Sequence, residues 1–436
     1  MRIFLIIWFG QLVSTIGSYM TGFALTLWAW EVTGSATALA LVGFFGQLPR
    51  IPMTVIAGLV VDRWNRKQLM MLGDGMTALT TLGIGILYVT DHLQIGHLYA
   101  AAAIAGGCSR IQSLAYQTSI ALMVPKQQYT RANSLDAAVH YSSVILGPAL
   151  AGVLFPVIGL SGILVIDILT FGIAIATLLT VAIPQPRSQP HPTLMIAPTS
   201  WMAQLSYGFR QVWQQPGLRG LLGITALFWF AHDLGEAIYD PMILARTQGS
   251  AQVLATTAAA AGVGGVIGAI LLSVWGGPKS RLNGMLGGFI GAGCSKAVFG
   301  WGRSPSIWVP SQFCSSLSFP LLGSSETAIW MEKIPPEQQG RVFAANAFVI
   351  QMVSAIAALM AGFLADRIFE PLMQVYPGIA TLLSPLVGTG AGAGMALLYI
   401  ITSFSLVTIG VSGYLLPGLR TLETTSSATN DSRGIS

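Results

Sequence analysis

Residues 37–60 read TALALVGFFGQLPRIPMTVIAGLV, residues 61–68 VDRWNRKQ, and residues 69–90 LMMLGDGMTALTTLGIGILYVT. Two apolar runs are thus joined by a loop of eight residues that carries Asp62, Arg63, Arg66 and Lys67. A helix crosses the hydrocarbon core of a bilayer with about 20 mainly apolar residues, so each run has the length of one crossing. The charges collect between the runs, where a chain turning at a membrane surface needs them. Working outward, the same alternation predicts twelve spans: 4–29, 37–60, 69–90, 98–122, 133–156, 161–183, 218–239, 252–275, 282–302, 306–330, 342–365 and 392–416. The first run, from Ile3 to Trp30, exceeds a signal-peptide core of about 7–15 residues and reads as a membrane helix.

Composition agrees with an all-α membrane protein. Charged residues make up 8% of the chain and hydrophobic ones 53%, against about 25% charged in globular domains. So few ionisable groups cannot cover the surface of a 436-residue protein in water. The 50 glycines suit helices that pack closely through small residues. Cys108, Cys294 and Cys314 lie in apolar runs without paired spacing, which excludes a disulfide framework or zinc site. The net charge of +5 comes from scattered single residues rather than a basic platform, so no nucleic-acid partner is expected.

Those basic residues set an orientation. With the N-terminus in the cytoplasm, fifteen of the 21 Lys and Arg fall on the cytoplasmic side. Arg246, Arg303 and Arg367 fall opposite, and Arg50, Arg110 and Lys296 lie inside spans. The positive-inside rule then places both termini in the cytoplasm of a cell with a plasma (inner) membrane.

The chain divides at its longest polar interval. Residues 1–183 form one group of six spans and 218–416 another. Between them, 184–217 is a cytoplasmic linker with five prolines between 184 and 198, followed by an amphipathic helix near Trp201–Trp213. Residues 417–436 form a polar tail of disordered composition. A shift of 210 residues lays 124–154 over 334–364 without a gap, matching Pro125, Gln128 and Arg131 to Pro335, Gln338 and Arg341. The halves therefore read as a parallel repeat.

The loop Gly58-Leu-Val-Val-Asp62-Arg63-Trp-Asn-Arg66-Lys67 closely resembles the signature loop of the major facilitator superfamily, in the position between spans two and three. Asn65 stands where that family usually has glycine; asparagine tolerates positive φ, which would preserve the turn. Trp8, Gly10, Gln11, Ser14 and Gly17 resemble the drug:proton antiporter group of macrolide and enterobactin exporters. So do Val124-Pro125, Arg131-Ala132-Asn133, and Pro335 with Gly340-Arg341-Val342. The resemblance implies two pseudo-symmetric six-helix bundles rocking about a central site, and proton-coupled efflux of a small molecule by a monomer. The family fold also serves importers of nutrients or metabolites, and a non-transporting receptor or scaffold is the reading from another class.

The resemblance makes Gly58, Asp62, Arg63, Arg66, Arg131 and Arg341 a cytoplasmic gate, in which Arg66 and Arg131 can reach Asp62. It makes Gly147-Pro148 and Gly152 an export-type motif in span five, where proline frees a backbone carbonyl and glycine allows close packing. The plain alternatives are loop anchoring for the first set and an ordinary kinked helix for the second.

Charges inside a membrane cost about 2.5–3.5 kcal/mol even on permissive scales, so each needs a reason. Arg50 lies about 18 Å from Asp62 at 1.5 Å per residue, near mid-membrane, and Arg110 lies similarly deep in span four. Asp233 and Glu236, three apart on span seven, share a helix face, whereas the neighbouring His232 points elsewhere. These four are the candidate proton-coupling and substrate-cavity residues. The alternative leaves Asp233, Glu236 and Asp240 at an unwound, wet outer end of the span. Asp167, Lys296 and Glu326 read as interhelical bonding groups, while Asp74 and Asp136 lie close enough to the cytoplasmic face to join the gate. No phosphate-binding loop, metal-ligand spacing or catalytic cluster occurs, so no cofactor and no enzyme activity are expected. The partners expected are a small-molecule substrate, protons and the lipid bilayer.

Overall fold

A computed structural model describes residues 2–125, 128–183 and 201–419. Among these residues every regular element is helical. The proline-rich part of the linker and the tail from Arg420 lie outside them. The helices are α1 (Arg2–Thr33), α2 (Ala36–Gln47), α3 (Arg50–Arg63), α4 (Arg66–Val89), α5 (Ile95–Met123) and α6 (Tyr129–Thr180). There follow α7 (Trp201–Gln214), α8 (Pro216–Arg246), α9 (Ala251–Trp275), α10 (Arg281–Trp301), α11 (Pro305–Lys333) and α12 (Pro336–Leu364). The last are α13 (Glu370–Val375), α14 (Pro377–Val387) and α15 (Ala393–Leu415). Each of the twelve apolar runs falls on helix, and seven helical stretches are both long and apolar enough to cross a membrane.

Three places depart from one run, one helix. The second run breaks at Leu48-Pro49 into α2 and α3. Pro49 and Pro52 stand within four residues, and each removes a backbone donor and crowds the turn before it. The fifth and sixth runs share α6, which turns at the single residue Gly159 (φ 64°); glycine reaches that conformation without a Cβ clash. After α12 the chain stays helical, through a five-residue π turn (Ala365–Phe369) and then α13 and α14, where the sequence suggested a loop. Glu370, buried beyond the π turn, accepts from the Met395 N–H in the first turn of α15 (2.9 Å) and from Gln374 Nε2 (3.1 Å). That carboxylate meets the positive end of the α15 dipole.

The chain forms two compact units: Met1–Leu194 with Ile243–Gly262, and Met195–Met242 with Val263–Ser436. In the first, α1 lies along α6 and α4 along α5, over a core that includes Phe4, Ile7, Leu69, Met70 and Leu178. In the second, α10 packs between α11 and α15, with Phe228 stacked on Phe289 at 3.8 Å beside Leu286, Leu322 and Trp330. In the same unit α7 docks on α12. A Cβ at Gly208 would strike the Arg341 carbonyl, and Phe209 meets Phe348 edge-on at 6.3 Å.

The contact between α2 and α5 is equally close. A Cβ on Gly106 would collide with the backbone carbonyl of Gly46, which cannot rotate aside. Gly106→Ala should therefore cost about 1–3 kcal/mol, read as a lower unfolding midpoint of the purified protein in detergent. Gly96→Ala, on the same helix with open space around it, should leave the midpoint unchanged or slightly higher.

Candidate functional site

The charged loop between α3 and α4 acts first on backbone ends. Arg66 Nη1 donates to the Thr118 carbonyl near the end of α5 (2.8 Å). Lys67 Nζ donates to the Leu179 and Val181 carbonyls at the end of α6 (3.3 and 2.7 Å). Cations there satisfy carbonyls and offset the negative ends of two helices. Asn65 corrects the expectation made for it. Its backbone is extended (φ −65°, ψ 117°), and its side chain caps α4 by accepting from the N–H groups of Lys67 and Gln68. The turn survives because asparagine is a good N-cap rather than because it tolerates positive φ. Gly58 and Asp62 lie on α3, and nothing beyond that position is described for them. Arg63, in the last turn of α3, and Arg131 are exposed.

The matched arginine of the second half is held differently. The Arg341 guanidinium lies over the Tyr207 ring of α7, 4.8 Å from its centroid, an attraction between a cation and the negative face of the ring.

Within the first unit, Arg110 Nε donates to Thr54 Oγ1 (3.2 Å), and Thr54 Oγ1 donates to the Arg50 carbonyl (2.7 Å). Arg110 is therefore tied to the first turn of α3, which begins at Arg50. Two buried acids of this unit bind neutral partners. Asp74 accepts from Gln11 Nε2 (3.0 Å), whose own carbonyl oxygen accepts from Gln112 Nε2 (2.7 Å). Asp167 accepts from Ser18 (3.4 Å) and Thr81 (3.2 Å). The span-five glycines face two helices: a Cβ at Gly147 would strike Tyr19 of α1, and one at Gly152 would strike Ala255 of α9. α6 remains helical through Pro148, and its one non-helical residue is Gly159.

Within the second unit, α8 is helical through Asp233, Glu236 and Asp240 up to Arg246, so the acids do not sit on an unwound end. The two candidate carboxylates have separate partners. Glu236 pairs with Lys296 Nζ of α10 at 3.0 Å. Lys296 also donates to Tyr399 Oη of α15 (3.4 Å) and lies 5.5 Å from that ring's centroid. The lysine side chain is 4% exposed, whereas that of Glu236 is 48% exposed. Asp233 is bonded by Ser354 of α12 and lies 3.0 Å from His232 Nδ1. The expectation that His232 points elsewhere is thus corrected: flexible side chains of adjacent residues can fold back onto each other although their Cβ atoms diverge. Among the described residues no group of three or more His, Cys, Asp or Glu could hold a metal.

A helical chain with charged partners inside apolar helices matches the family model described as Major Facilitator Superfamily over residues 7–358. The chain belongs to the Major Facilitator Superfamily. It is similar to Macrolide efflux protein A of Streptococcus pyogenes, 26% identical over 367 residues, covering 84% of this chain and 90% of the relative. It is also similar to the Multidrug efflux pump Tap of Mycolicibacterium fortuitum, 22% identical, with 97% of each chain covered. Among solved structures, a POT family transporter bound to 5-aminolevulinic acid superposes with a TM-score of 0.69 at 11% identity, covering 96% of each chain. A mutant form of the nucleoside transporter NupG superposes with a TM-score of 0.66 at 14% identity, covering 95% of this chain and all of that one. Such identities speak to the fold alone. This member of the superfamily is a multi-pass membrane transporter for small molecules and not an enzyme.

Lys296, read from the sequence as an interhelical bonding group, bonds to two other helices; sequence reasoning missed Tyr399 and Ser354, which nothing in the sequence marked. Removing Lys296 would leave the Glu236 carboxylate without its cation. Lys296→Met should destabilise the protein, by less than the about 3–5 kcal/mol of a fully buried pair because Glu236 is half accessible. In the double variant Lys296→Met/Glu236→Gln most of that loss should return. Thermal unfolding of the four proteins of the cycle measures the coupling.

Proposed function

We propose that this transporter exports an amphipathic small molecule in exchange for protons, by alternating access. In this reading the chain works as a monomer of twelve crossings with both termini in the cytoplasm. Efflux is supported by relatives named as efflux proteins that match most of the chain's length. Coupling is supported above all by one observation, the Glu236–Lys296 pair set among apolar helices. A half-accessible carboxylate can exchange a proton with water, while its buried partner cannot leave. Protonation of Glu236 neutralises it and leaves Lys296 with Tyr399; deprotonation restores the pair. A change of that size between two conformations can shift their populations, since a ligand acts only through its differential interaction with the states. Asp233, joined to α12 through Ser354 and to His232, is the second carboxylate of this reading.

The gate reading concerns Gly58, Asp62, Arg63, Arg66, Arg131 and Arg341. Charge-assisted bonds from the loop to the ends of α5 and α6 tie three helices together, and releasing them in the alternate state would open that end. In span five, Gly147, Pro148 and Gly152 provide close packing against neighbours that must slide.

Flux in proteoliposomes tests the reading, using labelled amphipathic compounds of different charge. Uptake into everted vesicles should rise with an imposed pH gradient, acidic inside, and collapse when a protonophore dissipates it. Glu236→Gln should abolish the response to the gradient while sparing exchange, and gradient-driven flux unchanged in this variant would move the proton site elsewhere. Asp62→Asn should cut flux at least about tenfold, the equivalent of one charge-assisted bond, with membrane insertion intact. Normal flux in Asp62→Asn would remove the gate.

A further inference from the structure

We infer that α14 is an in-plane membrane anchor, a helix lying along one bilayer surface with its apolar edge in the lipid. Its 11 residues, Pro377–Val387, include no charged side chain. At 1.5 Å per residue they extend about 16 Å, against about 30 Å of hydrocarbon for a crossing helix. The helix divides its circumference three ways. Val387 is buried and Ala380 and Ser384 are half-buried, so this side faces the protein. Ile379, Leu382 and Leu386 recur at spacings of three and four residues and stay exposed, Leu382 at 78%. Such spacing places them on one apolar edge. Gly378, Thr381 and Pro385 are exposed beside it.

The C-terminal end of α14 is tied to the point where α10 stops. Arg303, two residues beyond α10, donates through Nη2 to the Ser384 and Pro385 carbonyls (2.8 and 2.9 Å). Carbonyls in a last helical turn lack partners within the helix, and hydrocarbon supplies none. The cation also offsets the negative end of the helix. Gly388, at φ 78°, then turns the chain away toward α15. Trp301, the last residue of α10, and Tyr376, just before α14, are both exposed. Tryptophan and tyrosine gather at the boundary between lipid and water, which sets the depth of α14. Its apolar edge thus meets acyl chains close to the headgroups, while Thr381 meets water. A second copy of the chain fits this edge less well, since three side chains fall short of the about 800 Å² per partner buried in a stable interface. With both termini in the cytoplasm, as proposed above, the leaflet is the outer one; the anchoring itself depends on neither the cargo nor the direction of transport.

Nitrobenzoxadiazole on a single cysteine reads the placement of the helix. Leu382→Cys and Thr381→Cys are each introduced into the full chain carrying Cys108→Ser, Cys294→Ser and Cys314→Ser, then labelled in phosphatidylcholine nanodiscs. The Leu382→Cys label should lose more emission to a lipid nitroxide near the headgroup than to one deep in the acyl chain, and should resist aqueous iodide. The Thr381→Cys label, on the other exposed edge, should lose its emission to iodide. Equal loss to iodide at both positions puts the helix in water and overturns the anchor. Stronger loss to the deep nitroxide at Leu382→Cys means an inserted helix and overturns the in-plane placement. A Leu382→Cys label that neither iodide nor either nitroxide reaches is covered by protein, which overturns the lipid assignment. Where the chain without native cysteines does not assemble, p-benzoylphenylalanine replaces Leu382 in the otherwise native protein. A lipid adduct on irradiation then supports the anchor, and a cross-linked dimer overturns it.

Discussion

Hydrocarbon offers no hydrogen bond, and that constraint orders everything else in this protein. Charged groups inside the helical bundles gain most from partners supplied by the chain itself. Lys296 shows the consequence most plainly: its ammonium is enclosed by a carboxylate from α8 and a phenol from α15, so one side chain fastens three helices. Asp74 and Asp167 achieve the same in the other unit with neutral donors, each linking α1 to at least one further helix. Water would make these bonds optional. Here they fix which helices are neighbours.

The same constraint explains the loop after α3. Helix ends that reach the membrane surface present unpaired carbonyls. Lys67 reaches carbonyls at the end of α6, Asn65 caps the start of α4, and Arg66 reaches the Thr118 carbonyl one turn further inside α5. A motif recognisable by its charge pattern thus performs capping for two helices and ties a third to them. Any part it takes in opening the molecule must be built on that capping, since a motion that parts these helices has to break it.

Much of the architecture was legible in the sequence because apolar length is a direct physical signal. All twelve runs fall on helix, although the second, read as one span over 37–60, is two helices parted at Leu48-Pro49. Bond partners were less legible. Glu236 and Lys296 are sixty positions apart, and only packing brings their helices together. Asp233 and Glu236 share a face, as the three-residue spacing implied, yet their partners come from different helices and divide them. Asn65 was read through the residue it replaces rather than through its own side-chain chemistry. His232 was judged by the direction of its Cβ, which says little about where an imidazole ends.

The π turn at Ala365–Phe369 carries a genetic implication. Such a turn holds one residue more than an α-helical turn, and one residue rotates the following side chains by about 100° at 3.6 residues per turn. Glu370 reaches the start of α15 only with that added rotation. An in-frame loss of a single codon within these five would leave composition and apolar character almost untouched. It would nevertheless swing the carboxylate off its target, so this short segment should resist deletions that neighbouring helix could absorb.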